Sequence, residues 1–157
     1  MHTEQKLLAM YQKITRWPFG HWLFSRAVCF KAPYFGSISP IITRLENGRC
    51  EAYINDRRAV HNHIGSVHAI ALCNLAELCA GVMIDASLPK DMRWIPKGMT
   101  VSYLKRAQGR MYATATPVLA IVSASEGYEL PVNVDVLDDS GNKVFQAEIR
   151  MWLSPQK

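Results

Sequence analysis

The sequence predicts a single α+β domain in which an antiparallel sheet packs on one long apolar helix. The chain has 157 residues, a length that favours one compact core over two. The segment from Ser66 to Ile84 is almost entirely apolar or small, as in a buried helix. After it, residues 99–103, 130–136 and 145–153 alternate apolar and polar side chains with the period of a strand. Consecutive strands joined by short turns pair antiparallel, which completes the α+β pattern.

The region before the sheet is predicted to contain two helices. Apolar residues at helical spacing predict the first, namely Leu7, Leu8, Tyr11 and Ile14. Residues 17–20 break that pattern, and residues 21–30 predict a second short helix that ends before Pro33. The Trp and Phe residues here have two interpretations, an amphipathic membrane anchor or packing onto the sheet, and we favour packing.

The remaining elements are defined by turn residues. Asn47 and Gly48 predict a hairpin between residues 37–45 and 49–54. A loop follows over 55–65, and we expect Ser66 to cap the long helix, whose far limit is Pro89. About four strands come next; residues 111–121 are rich in Tyr, Thr and Val, and residues 138–142 form a turn.

Composition bounds the class of protein and its location. Hydrophobic residues make up 49% of the chain and charged residues 20%, which is a globular composition. The four cysteines show no C-x-x-C spacing, so we expect reduced thiols in a cytoplasmic protein. The first six residues lack a signal-peptide pattern, and the most apolar stretch, 69–84, is interrupted by Asn74 and Glu77, so we expect no membrane partner.

Glu77 is the one charged residue between Ser66 and Ile84. Its helical neighbours at three and four residues cannot pair with a carboxylate. A buried and unpaired carboxylate is costly, so such a group is a candidate acid, base or nucleophile. The alternative is that Glu77 reaches the rim of the helix or pairs with an arginine from elsewhere in the chain.

A loop rich in histidine precedes this helix, with His61, His63 and His68. The spacing fits no zinc pattern, and no cysteine or carboxylate stands beside them at ligand spacing, so we expect no metal. The unpaired N–H groups of a helix start can instead stabilise an oxyanion. Asn62 could orient a substrate or water at the same place, which suits attack on an acyl carbonyl.

This loop and helix carry a family resemblance. Residues 61–70, followed by Leu75-Ala76-Glu77, resemble the signature of hotdog-fold acyl-CoA thioesterases of the phenylacetate-degradation type. Residues 98–104 and 107–109 are similar to that family's first strand after the helix. The similarity covers about residues 35–153 and leaves 1–32 as an N-terminal helical extension, typical of a less characterised branch of the superfamily.

The resemblance implies a hotdog fold, in which a curved antiparallel sheet wraps around one long central helix. It implies a homodimer, or a tetramer, with active sites formed by two subunits, and no cofactor besides the CoA of an acyl-CoA or other acyl thioester substrate. By position, Glu77 corresponds to the catalytic Asp as base or nucleophile, Asn62 to the orienting Asn, and Ala69 to the Gly whose N–H polarises the thioester carbonyl. His68 matches the neighbouring His, and we expect it to contact substrate together with His63, Gly65 and Ser66.

The sequence departs from the family pattern at Ala69, Ile70, Glu77 and Pro96. Ala69-Ile70 replace Gly-Gly, Pro96 stands where relatives have Ser or Thr, and Glu77 adds one methylene to the acid. A non-catalytic acyl-CoA binder is therefore the alternative to a thioesterase. A dehydratase, which pairs a His with the carboxylate, is a weaker alternative. Nucleic-acid binding is a distant third, because the basic residues are not interleaved with aromatic residues.

The net charge of +5 favours an anionic partner and is segregated along the chain. Six basic residues and one acid lie between residues 90 and 110, whereas residues 111–142 contain five acids and no Lys or Arg. We expect CoA phosphates to meet a subset of the basic residues around the site. These candidates are Arg57, Arg58, Lys97, Lys105 and Arg106.

Overall fold

The computed structural model describes residues 3–156, with side chains from residue 6 onward; residues 1, 2 and 157 of the predicted domain lie outside this range. Three α-helices (α1–α3), two short 3-10 helices and six strands (β1–β6) make up the described fold. In chain order they are α1 Thr3–Ile14, α2 Gly20–Lys31, a 3-10 helix at Pro33–Ile38, β1 Ile41–Glu46, β2 Arg49–Ile54, a 3-10 helix at Arg58–Val60, α3 Ala69–Ser87, β3 Met92–Tyr103, β4 Met111–Pro117, β5 Tyr128–Leu137 and β6 Lys143–Pro155.

The strands form one antiparallel sheet in the order β1-β2-β4-β5-β6-β3, which confirms the predicted α+β class. The predicted alternation holds in β5, where Leu130, Val132, Val134 and Val136 are fully buried. Although β3 directly follows α3, it pairs with β6 and not with β4. The connection between β3 and β4 is instead held by the loop before α3, because the Val67 N–H donates to the Ala107 carbonyl at 2.9 Å.

Helix α3 is the centre of the core, but it begins later than predicted. The expected cap, Ser66, is wrong: His68 precedes the first helical residue, and its Nδ1 accepts the Ile70 N–H at 3.0 Å. Because Nδ1 accepts, the proton of a neutral His68 ring is on Nε2. The helix also continues past Ile84 to Ser87, whose hydroxyl donates to the Met83 carbonyl at 2.7 Å.

Helix α3 is also the described helix that is long and apolar enough to cross a membrane. Within the domain, however, 72% of its most apolar 18-residue stretch is buried. Its residues pack against the inner face of the sheet, where most large side chains of β2, β4, β5 and β6 are inaccessible to solvent. The helix therefore has the surroundings of a core element.

Helices α1 and α2 cover the β1 edge of the sheet. The Ile42 N–H donates to Ser25 Oγ at 2.8 Å, and its carbonyl lies 3.1 Å from His21 Nδ1. Arg26 Nη2 donates to the Pro40 carbonyl at 2.9 Å. These contacts satisfy polar backbone groups that an open edge would leave available for pairing with another chain. At the opposite edge, β3 has β6 on one side and no described strand on the other.

The predicted packing of the N-terminal aromatic residues onto the sheet is wrong for most of them. Phe24 is fully buried and stacks edge-on against Tyr11 with 5.1 Å between ring centroids. Most others point to solvent, because Gly20, Phe24, Ser25 and Cys29 occupy the inward face of α2. The exposed aromatic residues are Trp17, Phe19, Trp22 and Phe30.

The close approach of α1 to α2 yields a testable prediction at Gly20. A Cβ there would lie 2.1 Å from the Ile14 carbonyl oxygen, so the backbone must shift to admit a side chain. We expect Gly20→Ala to lower the free energy of unfolding by about 1–3 kcal/mol, as overpacking typically does. The measurement is urea denaturation. Gly36→Ala is the control, since its Cβ would meet Cys29 Cβ at an ordinary 3.8 Å. Equal unfolding free energies for the two variants would contradict the steric explanation.

Candidate functional site

The start of α3 lies between two cavities that use different faces of the helix. The first, here called the Asn62 cavity, has a volume of about 290 Å³. The second, the His68 cavity, has a volume of about 190 Å³. Ala69 and Leu72 line the Asn62 cavity, whereas His68 and Ala71 line the His68 cavity. The helix start therefore faces two separate spaces.

The Asn62 cavity brings together several of the residues predicted from the sequence. Asn62, Ser66 and Ala69 enter it from the loop and the helix start, and Lys105 and Arg106 from the connection after β3. The remaining lining is mostly apolar: Ile64, Val67, Leu72, Tyr103, Ala107 and Val144. A mostly apolar space with a few convergent polar groups is typical of a small-molecule site.

Asn62 organises the loop that leads into α3. Its Oδ1 accepts the N–H groups of Ile64 at 3.1 Å and of Ser66 at 3.0 Å. Gly65 has a φ of 73°, a conformation that favours glycine in this tight turn. The oxygen of the Asn62 amide is thus occupied, while its NH₂ group donates to no other described residue and remains a donor for a ligand.

Arg106 joins this loop to the strand connection. Its Nε donates to Ser66 Oγ at 2.5 Å and its Nη2 to the Ile64 carbonyl at 2.8 Å. The neighbouring Lys105 Nζ lies 3.3 Å from Asn142 Oδ1. No Asp or Glu is among the described lining residues of this cavity, so its charged groups are both cationic. Its rim therefore favours an anionic ligand.

Ala69 is the first residue of α3. Its N–H donates to no acceptor within residues 3–156. It also stands at the positive end of the helix dipole, beside the Asn62 cavity. In that position it can donate to an oxygen that carries developing negative charge.

Glu77 lies at the rim of the helix, which is the alternative to a buried carboxylate that the sequence left open. It is exposed and belongs to no ion pair among the described residues. It continues a stripe formed by Ile70, which is 55% exposed, and the half-buried Cys73. Eight residues separate Glu77 from Ala69, which places them about 12 Å apart along the helix axis. The two groups of one chain cannot act on the same carbonyl.

The surface around Glu77 is mainly apolar and includes the inner side of β3. Cys73 Sγ lies 3.7 Å from the Tyr103 hydroxyl, and a Cβ on Gly81 would meet the Trp94 ring at 3.2 Å. These two contacts place the middle of β3 beside Glu77. There Pro96 and Met99 pair with the buried residues Met151 and Ile149, so they face the helix side of the sheet. We call this surface the β3–α3 strip: Ile70, Cys73, Glu77, Pro96, Met99 and Tyr103.

The His68 cavity contains the other notable polar groups. His61, His68 and the buried Asn74 line it, and Asn74 Nδ2 donates to Ser37 Oγ at 3.3 Å. His61 Nε2 forms a short hydrogen bond with Asp56 Oδ1, and Asp56 Oδ2 accepts the Gly109 N–H at 2.7 Å. The hydrogen bond from His61 and that from Gly109 hold the pKa of the Asp56 carboxyl below its usual value.

Several predicted site residues do not reach either cavity. Arg57 Nη2 donates to the Ser37 carbonyl at 2.8 Å and to Ser39 Oγ at 3.2 Å, so it braces the 3-10 helix. Lys97 Nζ sits 4.3 Å above the centre of the Trp152 ring. Arg58, His63 and Gly65 are outside the lining of both cavities. Among residues 3–156, no three His, Cys, Asp or Glu side chains cluster in a way that could hold a metal ion.

Two residues near the site, Tyr103 and Asp56, were not predicted from the sequence. Tyr103 was assigned only to the alternation of a strand, yet it contributes to both the Asn62 cavity and the β3–α3 strip. Asp56, the partner of His61, lies five residues before it in a loop without periodicity. The sequence offered one signal for each: Asp56 is close to the motif at residues 61–70, and Tyr103 lies in the basic block at residues 90–110. Neither signal determines where a side chain points.

The lowered pKa of Asp56 predicts a pH-dependent contribution to stability. The carboxylate stabilises the fold fully above its unfolded pKa, near 4, and that contribution is lost as pH falls through the lower folded value. We expect Asp56→Asn to reduce the free energy of unfolding at pH 7 and to match wild type near pH 2. Chemical denaturation at both pH values tests this. Glu126→Gln, on an exposed loop, is the control, and an equal loss at both pH values for Asp56→Asn would contradict the prediction.

Comparison with known proteins places the chain in a family. The model of the family described as a domain of unknown function (DUF4442) matches residues 20–153. No curated protein sequence matches the chain. A crystal structure solved by structural genomics is 43% identical, covers 98% of this chain and 99% of its own, and superposes with a TM-score of 0.80.

More distant structures have the same fold. A protein of unknown function from Pseudomonas aeruginosa, described as a probable thioesterase, is 21% identical over 84% of this chain and 93% of its own, with a TM-score of 0.73. A hypothetical thioesterase from Streptococcus pneumoniae, solved with coenzyme A, is 16% identical over 84% and 98%, with a TM-score of 0.67. The fold is the hotdog fold of thioesterase-family proteins, as the sequence motif predicted, and the chain belongs to the DUF4442 family.

Proposed function

We propose that this protein is a homodimeric hydrolase of acyl-CoA or a related acyl thioester. The observation that carries the proposal is the unpartnered Ala69 N–H at the start of α3, beside a mostly apolar cavity with two cations at its rim. An acyl thioester of CoA has the matching parts: an apolar chain, a polarisable carbonyl and phosphates. The structure of the Streptococcus pneumoniae protein with coenzyme A supports this ligand class.

The proposed reaction divides its tasks among the predicted residues. The Ala69 N–H stabilises the oxyanion that forms when the thioester carbonyl is attacked, and the free NH₂ of Asn62 orients the reacting group. Glu77 either takes a proton from the attacking water or attacks the carbonyl itself. In the first case the C–S bond breaks, the CoA thiolate leaves and takes up that proton, and the acyl group is released as a carboxylic acid. In the second case the thiolate leaves from an acyl–Glu77 anhydride, which water then hydrolyses to the carboxylic acid and free Glu77. The chemistry uses no cofactor besides the CoA of the substrate, and we place it in the cytoplasm.

The distance between Ala69 and Glu77 requires a second subunit. Two residues about 12 Å apart on one helix cannot meet at one carbon atom, but Glu77 of one subunit can face Ala69 of another. Two features support such an assembly: the long unpaired edge of β3 and the apolar β3–α3 strip beside it. An open edge and an exposed apolar patch are both typical of a subunit interface.

The phosphates of CoA are proposed to bind at Lys105 and Arg106, whose side chains lie at the Asn62 cavity. Arg106 already uses Nε and Nη2 within the protein, which fixes its guanidinium and leaves Nη1 available. Arg57, Arg58 and Lys97 remain predicted phosphate contacts, as do His63, Gly65, Ser66 and His68 for the rest of the substrate. None of Arg57, Arg58 and Lys97 lines this cavity, and we propose that they meet CoA from a partner subunit.

A non-catalytic acyl-CoA binding protein is the alternative function. It is favoured by Ile70, which is more than half exposed beside Ala69, and by Pro96, which offers no hydroxyl on the strip near Glu77. Both residues add bulk without adding a polar group for chemistry. Tight binding of acyl-CoA without turnover across chain lengths would favour this alternative over hydrolysis.

The role of Glu77 predicts the effect of removing its charge. We expect Glu77→Gln to lower kcat for acyl-CoA hydrolysis by about 10²–10⁴-fold, the usual contribution of a positioned base, while substrate binding is retained. The measurement is thiol release from a panel of acyl-CoAs. Asp85→Asn is the matched control, because Asp85 is an exposed carboxylate of the same helix and Asn can still accept from Trp94 Nε1. Full activity of Glu77→Gln would refute the proposed role.

The proposed interface predicts that assembly and activity fail together. Met99→Glu places a charge in the β3–α3 strip, and we expect it to shift the protein from dimer to monomer and to abolish hydrolysis, because an unpaired buried charge is costly. Sedimentation velocity and the hydrolysis assay test this on the same samples. Thr100→Glu is the control, since Thr100 pairs with the exposed Glu148 and faces outward. A fully active monomer would overturn the two-subunit site.

A further inference from the structure

The N-terminal helices present an exposed apolar surface that the proposed hydrolysis does not use. We call it the aromatic face: Trp17, Phe19, Trp22, Leu23 and Phe30, which are 72%, 85%, 54%, 53% and 91% exposed. Leu23 and Phe30 are seven residues apart in α2 and therefore share one side of the helix, and Phe19 directly precedes its first residue. That side is opposite the inward residues Phe24 and Cys29. Helix α2 is therefore apolar on both sides.

Phe19 shows that this exposure is not explained by the needs of the fold. It adopts the left-handed conformation, with φ 62°, which costs free energy for a bulky residue and is tolerated far better by Gly or Asn. Its ring gains no compensating burial, since 85% of it is exposed. A large aromatic residue at this position is suited to a contact outside the subunit.

The charge around the aromatic face identifies the class of contact. Residues 5–45 contain six basic residues and no Asp or Glu, whereas the rest of the chain has twelve basic and thirteen acidic residues. This segment is therefore one of two basic blocks in the chain, the other being residues 90–110. Arg44 is neutralised by Glu46 at 2.9 Å, and Lys31 lies close enough to Asp85 to favour its carboxylate, but Lys13 and Arg16 are exposed and form no ion pair among the described residues.

We propose that the aromatic face docks the protein on an anionic lipid bilayer, with α2 lying in the plane of the interface. Trp, Tyr and Phe partition to the boundary between headgroups and acyl chains, and flanking Lys and Arg are attracted to acidic headgroups. A face that combines exposed aromatic residues with unopposed positive charge matches both properties. The proposal does not depend on the thioesterase chemistry, because none of the docking residues tested below lines either cavity.

The test is cosedimentation of the full-length protein with two kinds of vesicle. One is phosphatidylcholine alone, and the other contains about 30% phosphatidylglycerol. We expect binding to the anionic vesicles only, loss of that binding in high salt, and at least a tenfold loss in Trp17→Ser/Phe19→Asn/Phe30→Ser. Asn is chosen at position 19 because it tolerates the left-handed conformation. Circular dichroism melting confirms that each variant is folded.

Matched charge variants separate a local surface from overall charge. Lys13→Gln/Arg16→Gln and Lys90→Gln/Arg93→Gln each remove one Lys and one Arg, all four exposed, and only the first pair is adjacent in sequence to the aromatic face, since Trp17 follows Arg16. We expect the first variant to lose most vesicle binding and the second to retain it. Equal losses in the two variants would overturn the proposal, as would absence of binding by the wild type. A fall in oligomer mass in the aromatic variant, without vesicle binding by wild type, would instead assign the face to a second copy of the chain.

Discussion

The structure depends on the burial of α3 against the inner face of the sheet. Most of its side chains are inaccessible to solvent, and the large apolar residues of four strands close around it. Burial of this area is the main favourable term in folding, and it also fixes where the two ends of the helix lie. Because the helix start is fixed, the loop that begins at Asn62 and the N–H of Ala69 are held against the core. A helix start fixed in this way can serve as a preorganised oxyanion donor.

The two edges of the sheet are treated differently, and this difference organises the rest of the surface. At the β1 edge, side chains of α2 satisfy the polar groups of Ile42 and Pro40, so the edge is closed within the subunit. At the β3 edge nothing in residues 3–156 plays that role. To cover the β1 edge, α2 needs one apolar side that packs against the sheet. Its second, exposed apolar side is not needed to close the edge.

Sequence patterns predicted the elements well where periodicity is strong. Alternation of apolar and polar residues predicted β5 and β6, and the turn at Gly48 predicted the hairpin of β1 and β2. Each of these signals depends only on local spacing. The start of α3 was misplaced because Ser66 is a typical capping residue in sequence, whereas its hydroxyl accepts from Arg106 and His68 caps the helix instead. The pairing of β3 with β6 was likewise beyond local rules, because β4 and β5 lie between the two strands in the chain.

Glu77 shows the same limit at the candidate site. Its apolar neighbours in sequence predicted a buried carboxylate, and the subunit instead places it on the exposed edge of an otherwise buried helix. The apolar sequence around Glu77 and its exposure are consistent if the apolar residues beside it pack against a second subunit. In the proposed dimer, association would remove water from the β3–α3 strip and bring the carboxylate to an Ala69 N–H across the interface. Electrostatic interactions strengthen where water is excluded, so the same contact that completes the set of reacting groups would also increase their effect. An isolated subunit would hold each group in place and yet have no site.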